Sequence, residues 1–329
     1  MEQKNVEQYF NLINEITETI EQNESMTYLD SLVVALECAF SKMPNEELSE
    51  PTKKFVRKNI AKIQFDTLDK ETIRKIIQLA TLKGMRGATQ QQHLITPDTV
   101  AMFMGYIVNN LVGNRKDIRI FDPAFGSGNL LTAVMNQLQT NVQAYGSEVD
   151  STLIQLGLLN ANLQKTEIEL FHQDSLQPFL LEPVDFVVAD LPVGYYPDDF
   201  RAQSFELRAP EGHAYAHHLF IEQSLHYTKE AGFSIFVIPN FLFDSDQSNK
   251  LHVYLQKHAH IVGLLQLPTS MFTSEKQAKS ILILQKKGQA AKAPKQALIA
   301  QLPSFKDPRS TLQVVEKINK WFKEEGYNY

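Results

Sequence analysis

A short segment of the chain joins an acidic residue to two closely spaced glycines. Residues 118–131 read IRIFDPAFGSGNLL, so Asp122 follows an apolar run, and Gly126 and Gly128 precede a helix-like stretch. Glycines let the backbone approach a ligand closely, and the N-terminus of the following helix offers free N–H groups. Leu131 stands where a dinucleotide-binding turn needs its third glycine. The acid before the glycines favours a ligand with a cationic group, such as the sulfonium of a methionine-derived nucleoside.

The elements that must hold this turn alternate regularly after residue 117. Short apolar runs such as DFVVADLP, FSIFVIPN and SILILQKKG are typical of strands, and helix-like segments such as STLIQLGLLNANL and residues 217–230 lie between several of them. This rhythm predicts an α/β fold with a doubly wound, mostly parallel sheet and right-handed crossovers. Because the carboxyl ends of parallel strands share one edge of a sheet, we expect a ligand crevice at that edge.

Residues 1–88 carry a different pattern. Their apolar residues fall at helical spacing in four segments, and the fourth begins after Asp69, a typical N-cap, and ends at Gly84. We therefore predict a helical N-terminal domain over 1–88 and a ligand-binding sheet domain over 89–290. A C-terminal strand and helix over 291–329 are expected to pack on the core.

Composition and charge limit the classes of function. The chain has 329 residues, 43% hydrophobic and 21% charged, which excludes wholesale disorder. Lys and Arg total 32 against 38 Asp and Glu, and a net charge of −6 argues against a protein that holds duplex DNA mainly through its phosphates. One cysteine, Cys38, excludes a disulfide framework. Without a secretion signal or an apolar run long enough to span a bilayer, we expect a cytoplasmic protein with no membrane partner.

Histidines are concentrated between residues 213 and 260. His213 and His217 lie four residues apart, a spacing that places two side chains on one helix face. No cysteine lies in this stretch and no HExxH motif occurs in the chain, so no metal site is predicted. We expect these histidines to lie at surface or partly buried positions.

The glycine turn resembles the cofactor motif of a known family. DPAFGSGNLL is similar to that motif in adenine-specific N6 DNA methylases, the family of the modification subunits of type I restriction systems. The similarity continues in the family's order over about residues 88–288. Residues 92–97 (QHLITP) resemble the segment before the cofactor strand, residues 145–150 (YGSEVD) the second motif, and residues 173–176 (QDSL) the third. The resemblance implies a class I, Rossmann-like methyltransferase domain over 89–290 that uses S-adenosyl-L-methionine.

The resemblance also implies which residues bind the cofactor. Thr96 lies in the segment that closes over the methionine end, Glu148 takes the ribose hydroxyls, and Asp174 lies beside the adenine ring. Glu148 also follows Gly128 by 20 residues, the spacing expected of a ribose-binding acid at the next strand end. The complete implied set is Thr96, Asp122, Pro123, Ala124, Gly126, Ser127, Gly128, Asn129, Leu130, Glu148, Val149, Asp174, Ser175 and Asp190.

The catalytic motif departs from the family's pattern, which is Asn or Asp, two prolines and an aromatic residue. Residues 185–196 read DFVVADLPVGYY, so Asp190, Leu191, Pro192 and Val193 occupy these four positions. An adenine N6 amino group is a poor nucleophile because its lone pair is delocalised into the ring. A side-chain acceptor and a backbone carbonyl that take its two hydrogens direct the lone pair towards the methyl group. Asp190 supplies the first acceptor, and the carbonyl of Leu191 is expected to supply the second.

Val193 is the larger departure because it cannot stack on a flipped base as a Tyr or Phe does. Tyr195, Tyr196 or Phe243 is expected to take over this contact. The predicted catalytic residues are Asp190, Leu191, Pro192 and Tyr195.

Three functions remain open at this point. The first is N6 methylation of DNA adenine. The second is methyl transfer to another planar nitrogen, in an RNA base or a protein glutamine amide, which the acidic charge and the lack of room for a target-recognition domain favour. The third is a cofactor-binding module with a degenerate catalytic motif. We expect the isolated protein to bind DNA weakly, with a second copy or a separate specificity protein docked on the N-terminal helices.

Overall fold

A computed structural model describes residues 2–86 and 95–327 of the chain. Residues 2–86 form the four helices predicted for this region: α1 (Glu2–Glu24), α2 (Tyr28–Ser41), α3 (Glu50–Ile60) and α4 (Lys70–Met85). Two helix starts are fixed by side-chain caps. Thr27 accepts the N–H of Asp30 at 3.2 Å ahead of α2, and Asp69 accepts the N–H of Thr72 at 2.9 Å ahead of α4.

The helical region shares its apolar core with the region that follows it. Ile13 and Ile16 of α1 are fully buried. They belong to the same apolar cluster as Leu156 of α7 (Ser151–Leu163), a helix between two strands of the sheet. The limit at residue 88 lies outside the described residues, so the division into domains stays a prediction.

The later part of the chain forms one sheet of eight strands. They are β1 (Asp117–Asp122), β2 (Asn141–Glu148), β3 (Ile168–His172), β4 (Val184–Asp190), β5 (Thr228–Pro239), β6 (Ala259–Gln266), β7 (Lys279–Lys286) and β8 (Leu298–Gln301). Their spatial order is β3-β2-β1-β4-β5-β7-β6-β8. Strand β7 runs antiparallel to β5 and β6, and the other neighbouring strands are parallel. The predicted mostly parallel sheet is confirmed.

Helices cover both faces of the sheet, as a doubly wound fold requires. Along β4, Phe186 and Val188 pack into one apolar cluster, and Val187 and Ala189 pack into another on the opposite face, because successive side chains of a strand alternate between faces. The remaining helices are α5 (Asp98–Val112), α6 (Asn129–Met135), α8 (Asp199–Ala202), α9 (Ala216–Tyr227), α10 (Ser248–His258) and α11 (Pro308–Glu325).

The helix expected at 217–230 is shorter than predicted. It ends at Tyr227 because Thr228 pairs with Val184 and begins β5. The pairing of β4 with β5 is irregular after this first contact and resumes where Phe186 lies opposite Phe233.

The C-terminal elements pack on the sheet region. Strand β8 pairs with β6, and Ile318 and Phe322 of α11 are buried in the same apolar cluster as Ile120 of β1. Within residues 2–86 and 95–327, no helix has the length and apolar character needed to cross a bilayer.

Three strands end in acidic residues at one edge of the sheet. Asp122 ends β1, Glu148 ends β2 and Asp190 ends β4. Strand β1 lies between β2 and β4 and runs parallel to both. The three carboxylates are therefore neighbours at the carboxyl edge, where a doubly wound sheet places its ligand.

Candidate active site

The turn after β1 depends on glycine conformations. Gly126 and Gly128 have φ angles of 55° and 77°, a region that strongly favours glycine. At Gly128 a side chain is also excluded by space, because a Cβ would lie 2.7 Å from the Phe125 ring. The Phe125 side chain is buried, and the backbone N–H of Phe125 donates to the carbonyl of Ser147 at 3.0 Å. This hydrogen bond joins the turn to β2.

Glu148 holds the same turn from the neighbouring strand. One oxygen of its carboxylate accepts the N–H of Gly126 at 2.9 Å, and the other accepts the N–H groups of Val149 and Asp150, each at 2.9 Å. Asp150 in turn caps α7 by accepting the N–H groups of Thr152 and Leu153. Because Glu148 lines the cavity as well, its carboxylate is available to a ligand beside the turn.

Asp122 is fully buried beneath the turn. Its Oδ1 accepts the N–H of Ala124 at 3.0 Å, and its Oδ2 has no hydrogen-bond partner within the described residues. Burial, together with the charges of Glu148 and Asp190, raises the pKa of Asp122 to about 8. A carboxyl group in this situation gains from a cationic ligand group placed nearby, because the cation favours the ionised form.

The loop after β3 forms a further wall. Asp174 accepts the N–H of Leu176 at 2.9 Å through Oδ1, and its Oδ2 accepts the hydroxyl of Tyr196. The hydroxyl of Ser175 donates to the carbonyl of Pro123, which links this loop to the glycine turn. Burial and the Asp174 carboxylate raise the pKa of Tyr196, so this ring stays a neutral donor.

Asp190 ends β4 with both carboxylate oxygens engaged. Oδ2 accepts the hydroxyl of Thr96 at 3.1 Å, and Oδ1 accepts from the ammonium group of Lys279 at 2.7 Å. The side chains of Asp190 and Lys279 are only 12% and 20% exposed, so this ion pair is largely screened from water. Lys279 is the first residue of β7 and was not among the predicted site residues.

Two histidines near the loop after Asp190, His217 and His218, are buried. Leu191 is buried and its N–H donates to the carbonyl of Val237 at 3.1 Å. His217 and His218 are fully buried, so the prediction of surface or partly buried positions was wrong for both. Burial lowers the pKa of His217 to about 3 and that of His218 to about 4, so both rings are neutral near pH 7. Among the described residues, no group of three or more metal-ligating side chains is present.

The aromatic residues near Val193 differ in whether they line the cavity. Val193 is 38% exposed and lines the cavity together with Phe241, which is 37% exposed. Tyr195 is absent from the lining, and its ring stacks on Tyr215 at a centroid distance of 4.9 Å. Phe243 stacks on a histidine ring instead. Phe241, which was not among the predicted residues, is more exposed than Phe125 and Phe220, the other aromatic residues of the lining, and is therefore a candidate for a stacking contact.

These elements enclose one cavity of about 360 Å³, a volume in the usual range for small-ligand sites. Most of the predicted site residues line it: Thr96, Pro123, Ala124, Gly126, Ser127, Asn129, Leu130, Glu148, Val149, Asp174, Ser175, Asp190, Leu191 and Pro192. Asp122, Gly128 and Tyr195 are not in the lining. Of the segment at 92–97, residues 92–94 lie outside the described residues, and Thr96 reaches the cavity.

A buried arginine connects the helical region to this cavity. Arg74 of α4 is fully buried, forms ion pairs with Glu71 and Asp98, and donates to Oδ1 of Asn129 at 2.5 Å. Asn129 donates to the carbonyl of Thr96 at 3.0 Å. The hydroxyl of Thr96 contacts Asp190, as described above. A continuous chain of hydrogen bonds thus runs from α4 to the end of β4.

Comparison with known proteins assigns the family. Residues 84–326 match the N-6 DNA methylase family, and residues 7–85 match the YtxK N-terminal helical domain. The chain belongs to the N-6 DNA methylase family. It is 44% identical to the YtxK protein of Bacillus subtilis over 329 residues, a match that covers 99% of this chain and 100% of that protein.

Solved structures of N-6 DNA methylase relatives share the fold. A candidate class I S-adenosylmethionine-dependent methyltransferase from Listeria monocytogenes is 37% identical, with a TM-score of 0.91 over 97% of this chain and 99% of that one. A modification subunit of a candidate type I restriction enzyme from Vibrio vulnificus is 18% identical, with a TM-score of 0.65 over 88% of this chain and 65% of that one. A type I methyltransferase subunit from Streptococcus thermophilus is 16% identical, with a TM-score of 0.64 over 96% of this chain and 78% of that one. At these two lower identities, the likeness concerns the fold alone.

The methyltransferase family and fold imply dependence on S-adenosylmethionine, and the residues of this chain fit that group. The cavity lies in the size range of small-ligand sites, and Glu148 and Asp190, which end two neighbouring strands of β1, line it. The buried Oδ2 of Asp122, which lacks a partner among the described residues, suits a cationic ligand.

Proposed function

We propose that this protein transfers a methyl group from S-adenosylmethionine to the exocyclic N6 amino group of adenine in DNA. The observation that carries the proposal is the position of Asp190 and Leu191 on the cavity wall, at the end of β4, where the family has its catalytic motif. A carboxylate oxygen and the following backbone carbonyl form the acceptor pair that an amino nitrogen needs for attack on a methyl group.

We assign the cofactor-binding residues from the lining of the same cavity. Glu148 is proposed to accept hydrogen bonds from the ribose hydroxyls, since it ends β2 and lines the cavity. Asp174 and Ser175 are proposed to flank the adenine ring of the cofactor, and Thr96 to contact its methionine end. The bound cofactor supplies a methyl group on a positively charged sulfur.

The chain's own contribution to transfer is alignment and charge. Asp190 and the Leu191 carbonyl are proposed to accept the two hydrogens of the amino group, which leaves the nitrogen lone pair directed at the methyl carbon. Transfer of the methyl group would leave the electron pair of the methyl–sulfur bond on the sulfur and place positive charge on the nitrogen, which would then release one of its two protons to water. The Asp190 carboxylate stabilises that charge. Phe241 is proposed to stack on the base in place of Val193, because both side chains line the cavity.

A second candidate is methyl transfer to a different planar nitrogen, in an RNA base or a protein glutamine amide. The net charge of −6 favours this candidate, because a DNA-binding enzyme usually carries a basic surplus. Both candidates use the same acceptor pair at Asp190 and Leu191, so the cavity wall alone does not choose between them.

Long-read sequencing of chromosomal DNA with and without the gene tests the DNA proposal. We expect an N6-methyladenine motif that disappears in the knockout and returns with wild-type protein but not with Asp190→Ala. Asp190→Ala should keep a cofactor affinity close to that of the wild type, measured by calorimetry. Identical methylomes in the two strains would contradict the DNA proposal and favour the second candidate, which transfer of labelled methyl groups to total RNA and total protein then examines.

A further inference from the structure

Lys279 neutralises the carboxylate of Asp190 in the cavity wall, which no residue of the catalytic motif does. The Lys279 ammonium lies 2.7 Å from Oδ1 of Asp190, and both residues line the cavity. Lys279 comes from β7, which is separated from β4 by β5. A carboxylate and an ammonium group in contact have no net charge, so the pair presents an acceptor beside a donor.

Without Lys279, Asp190 would be an unpaired carboxylate in the cavity wall. Glu148 and Asp174 line the same cavity, and most of the other lining residues are apolar. An unpaired carboxylate in a site of this kind attracts cations such as the side chains of lysine and arginine. Methylation of a cationic amine is also unfavourable, because its nitrogen has no free lone pair.

The geometry points to Lys279 as a residue that determines the class of methyl acceptor. We propose that the Asp190–Lys279 pair selects a neutral, planar group in which an amino nitrogen stands beside a hydrogen-bond acceptor, as in the amidine edge of adenine. Asp190 accepts from the amino group and Lys279 donates to the neighbouring ring nitrogen. The charge of Lys279 excludes alkylammonium and guanidinium groups. This inference rests on the proposed function, since it concerns the acceptor that the same cavity receives.

The substitutions can separate the charge of Lys279 from its bulk. Lys279→Met removes the charge and keeps an unbranched side chain of similar length. Lys279→Arg keeps the charge and the donors. The double variant Asp190→Asn with Lys279→Met removes both charges of the pair, so neither an unpaired carboxylate nor an ammonium group remains at that position. Lys276→Met is the matched control, because Lys276 also lines the cavity and is not one of the two side chains bonded to Asp190.

The experiment measures binding of two small probes by NMR with S-adenosylhomocysteine saturating the cofactor site. The probes are 9-ethyladenine, a neutral amidine edge, and butylammonium, a cation. We expect wild type, Lys279→Arg and Lys276→Met to bind 9-ethyladenine and not butylammonium. Lys279→Met should lose about tenfold or more in affinity for 9-ethyladenine and gain binding of butylammonium. The double variant should exclude butylammonium again.

The inference is overturned if Lys279→Met keeps the wild-type preference between the probes, or if wild type with bound S-adenosylhomocysteine does not bind 9-ethyladenine. Calorimetry with the cofactor alone separates this failure from that of the proposed function. If S-adenosylmethionine does not bind to the wild type, the proposed function fails. If it binds and the probe preference does not depend on Lys279, only the inference fails.

Discussion

At the residue scale, the Glu148 carboxylate holds the glycine turn and is proposed to bind the cofactor as well. Its two oxygens accept N–H groups from Gly126, Val149 and Asp150. An ionised carboxylate offers about four acceptor positions, so these three bonds leave room for a ribose hydroxyl. The turn and the end of β2 are therefore held together by the chain's own hydrogen bonds.

Substitution of Glu148 tests its role in cofactor binding. Glu148→Ala should weaken S-adenosylmethionine binding by on the order of 1.5–3 kcal/mol, because a charge-assisted hydrogen bond to the ribose is lost and the turn is loosened. Calorimetry measures the effect. Glu169→Ala is the control, since Glu169 is an exposed residue of the adjacent strand β3. An unchanged dissociation constant for Glu148→Ala would remove Glu148 from the site.

Asp122 leads to a prediction about pH. Its pKa of about 8 in the folded protein lies above the value near 3.9 of an unfolded chain, so the native state binds the extra proton between these values. The stability of the wild type should therefore decline relative to that of Asp122→Asn as the pH rises from about 4 to about 8. Thermal unfolding of both proteins at pH 5 and pH 8 measures the difference. A difference in melting temperature that does not depend on pH would contradict this assignment. In a separate measurement, Asp122→Asn should bind the cofactor more weakly than the wild type.

Several residues of the candidate site could be predicted from the sequence, because they follow apolar runs that are recognisable as strands. Glu148 and Asp190 end strands that are recognisable as apolar runs, and a parallel sheet brings such ends together. Lys279 could not be found in this way. It lies 89 residues from Asp190 and begins a strand, so only the position of β7 beside β5 brings it to the cavity. Phe241 and Phe243 lie in the same short helical turn after β5, and no sequence pattern shows that Phe241 rather than Phe243 lines the cavity.

At the element scale, α4 supports the cavity from outside the sheet region. Arg74 contacts Asn129 at the start of α6, and Asn129 contacts Thr96 before α5. Arg74 itself does not line the cavity. Its effect on a ligand must therefore act through the position of Asn129 and Thr96, which makes it a positioning residue.

A conservative change at Arg74 tests this connection. Arg74→Lys keeps the charge but lacks the planar fork that bonds several partners at once, so the contact with Asn129 should be lost. We expect cofactor affinity to fall about fivefold, in line with the loss of one hydrogen bond, together with a lower melting temperature. Asn136→Ala is the matched control, because Asn136 also bonds to Glu71 of α4 but is not in contact with Thr96. A loss of stability in both variants with unchanged affinity would show that Arg74 has no positioning role.

The helices and strands could be predicted from the sequence more readily than the residues at which they begin and end or the long-range contacts between them. The caps at Asp69 and the helical spacing in residues 2–86 identify the N-terminal helices from local signals. The early start of β5 at Thr228 was missed because its first contact, with Val184, is a long-range pairing that no local pattern reports. Arg74 was overlooked for a related reason, since a basic residue in a polar helix is usually a solvated side chain.

At the scale of the whole molecule, the distribution of charge bears on the partner. The net charge is −6, and helices α3, α4 and α11 each carry four lysine or arginine residues. Some of these cations are already paired. Lys53 contacts Glu50 at 3.2 Å, and Lys83 forms an ion pair with Glu18. Cations held by neighbouring carboxylates contribute less to phosphate binding, because a phosphate must compete with the existing partner.

This charge distribution predicts the behaviour of the isolated protein with DNA. Methylation of a base in duplex DNA requires extrusion of that base, which costs a few kcal/mol and needs a firm hold on the flanking backbone. Because the net charge of −6 opposes that hold, we expect weak duplex binding with a steep dependence on salt. Gel-shift titrations at low and physiological salt measure it, and a single-stranded oligonucleotide of the same sequence is the control. Sequence-specific nanomolar binding by the monomer at physiological salt would contradict the prediction. Weak binding that becomes tight when a second protein or a second copy is added would instead place the missing contacts outside the single chain.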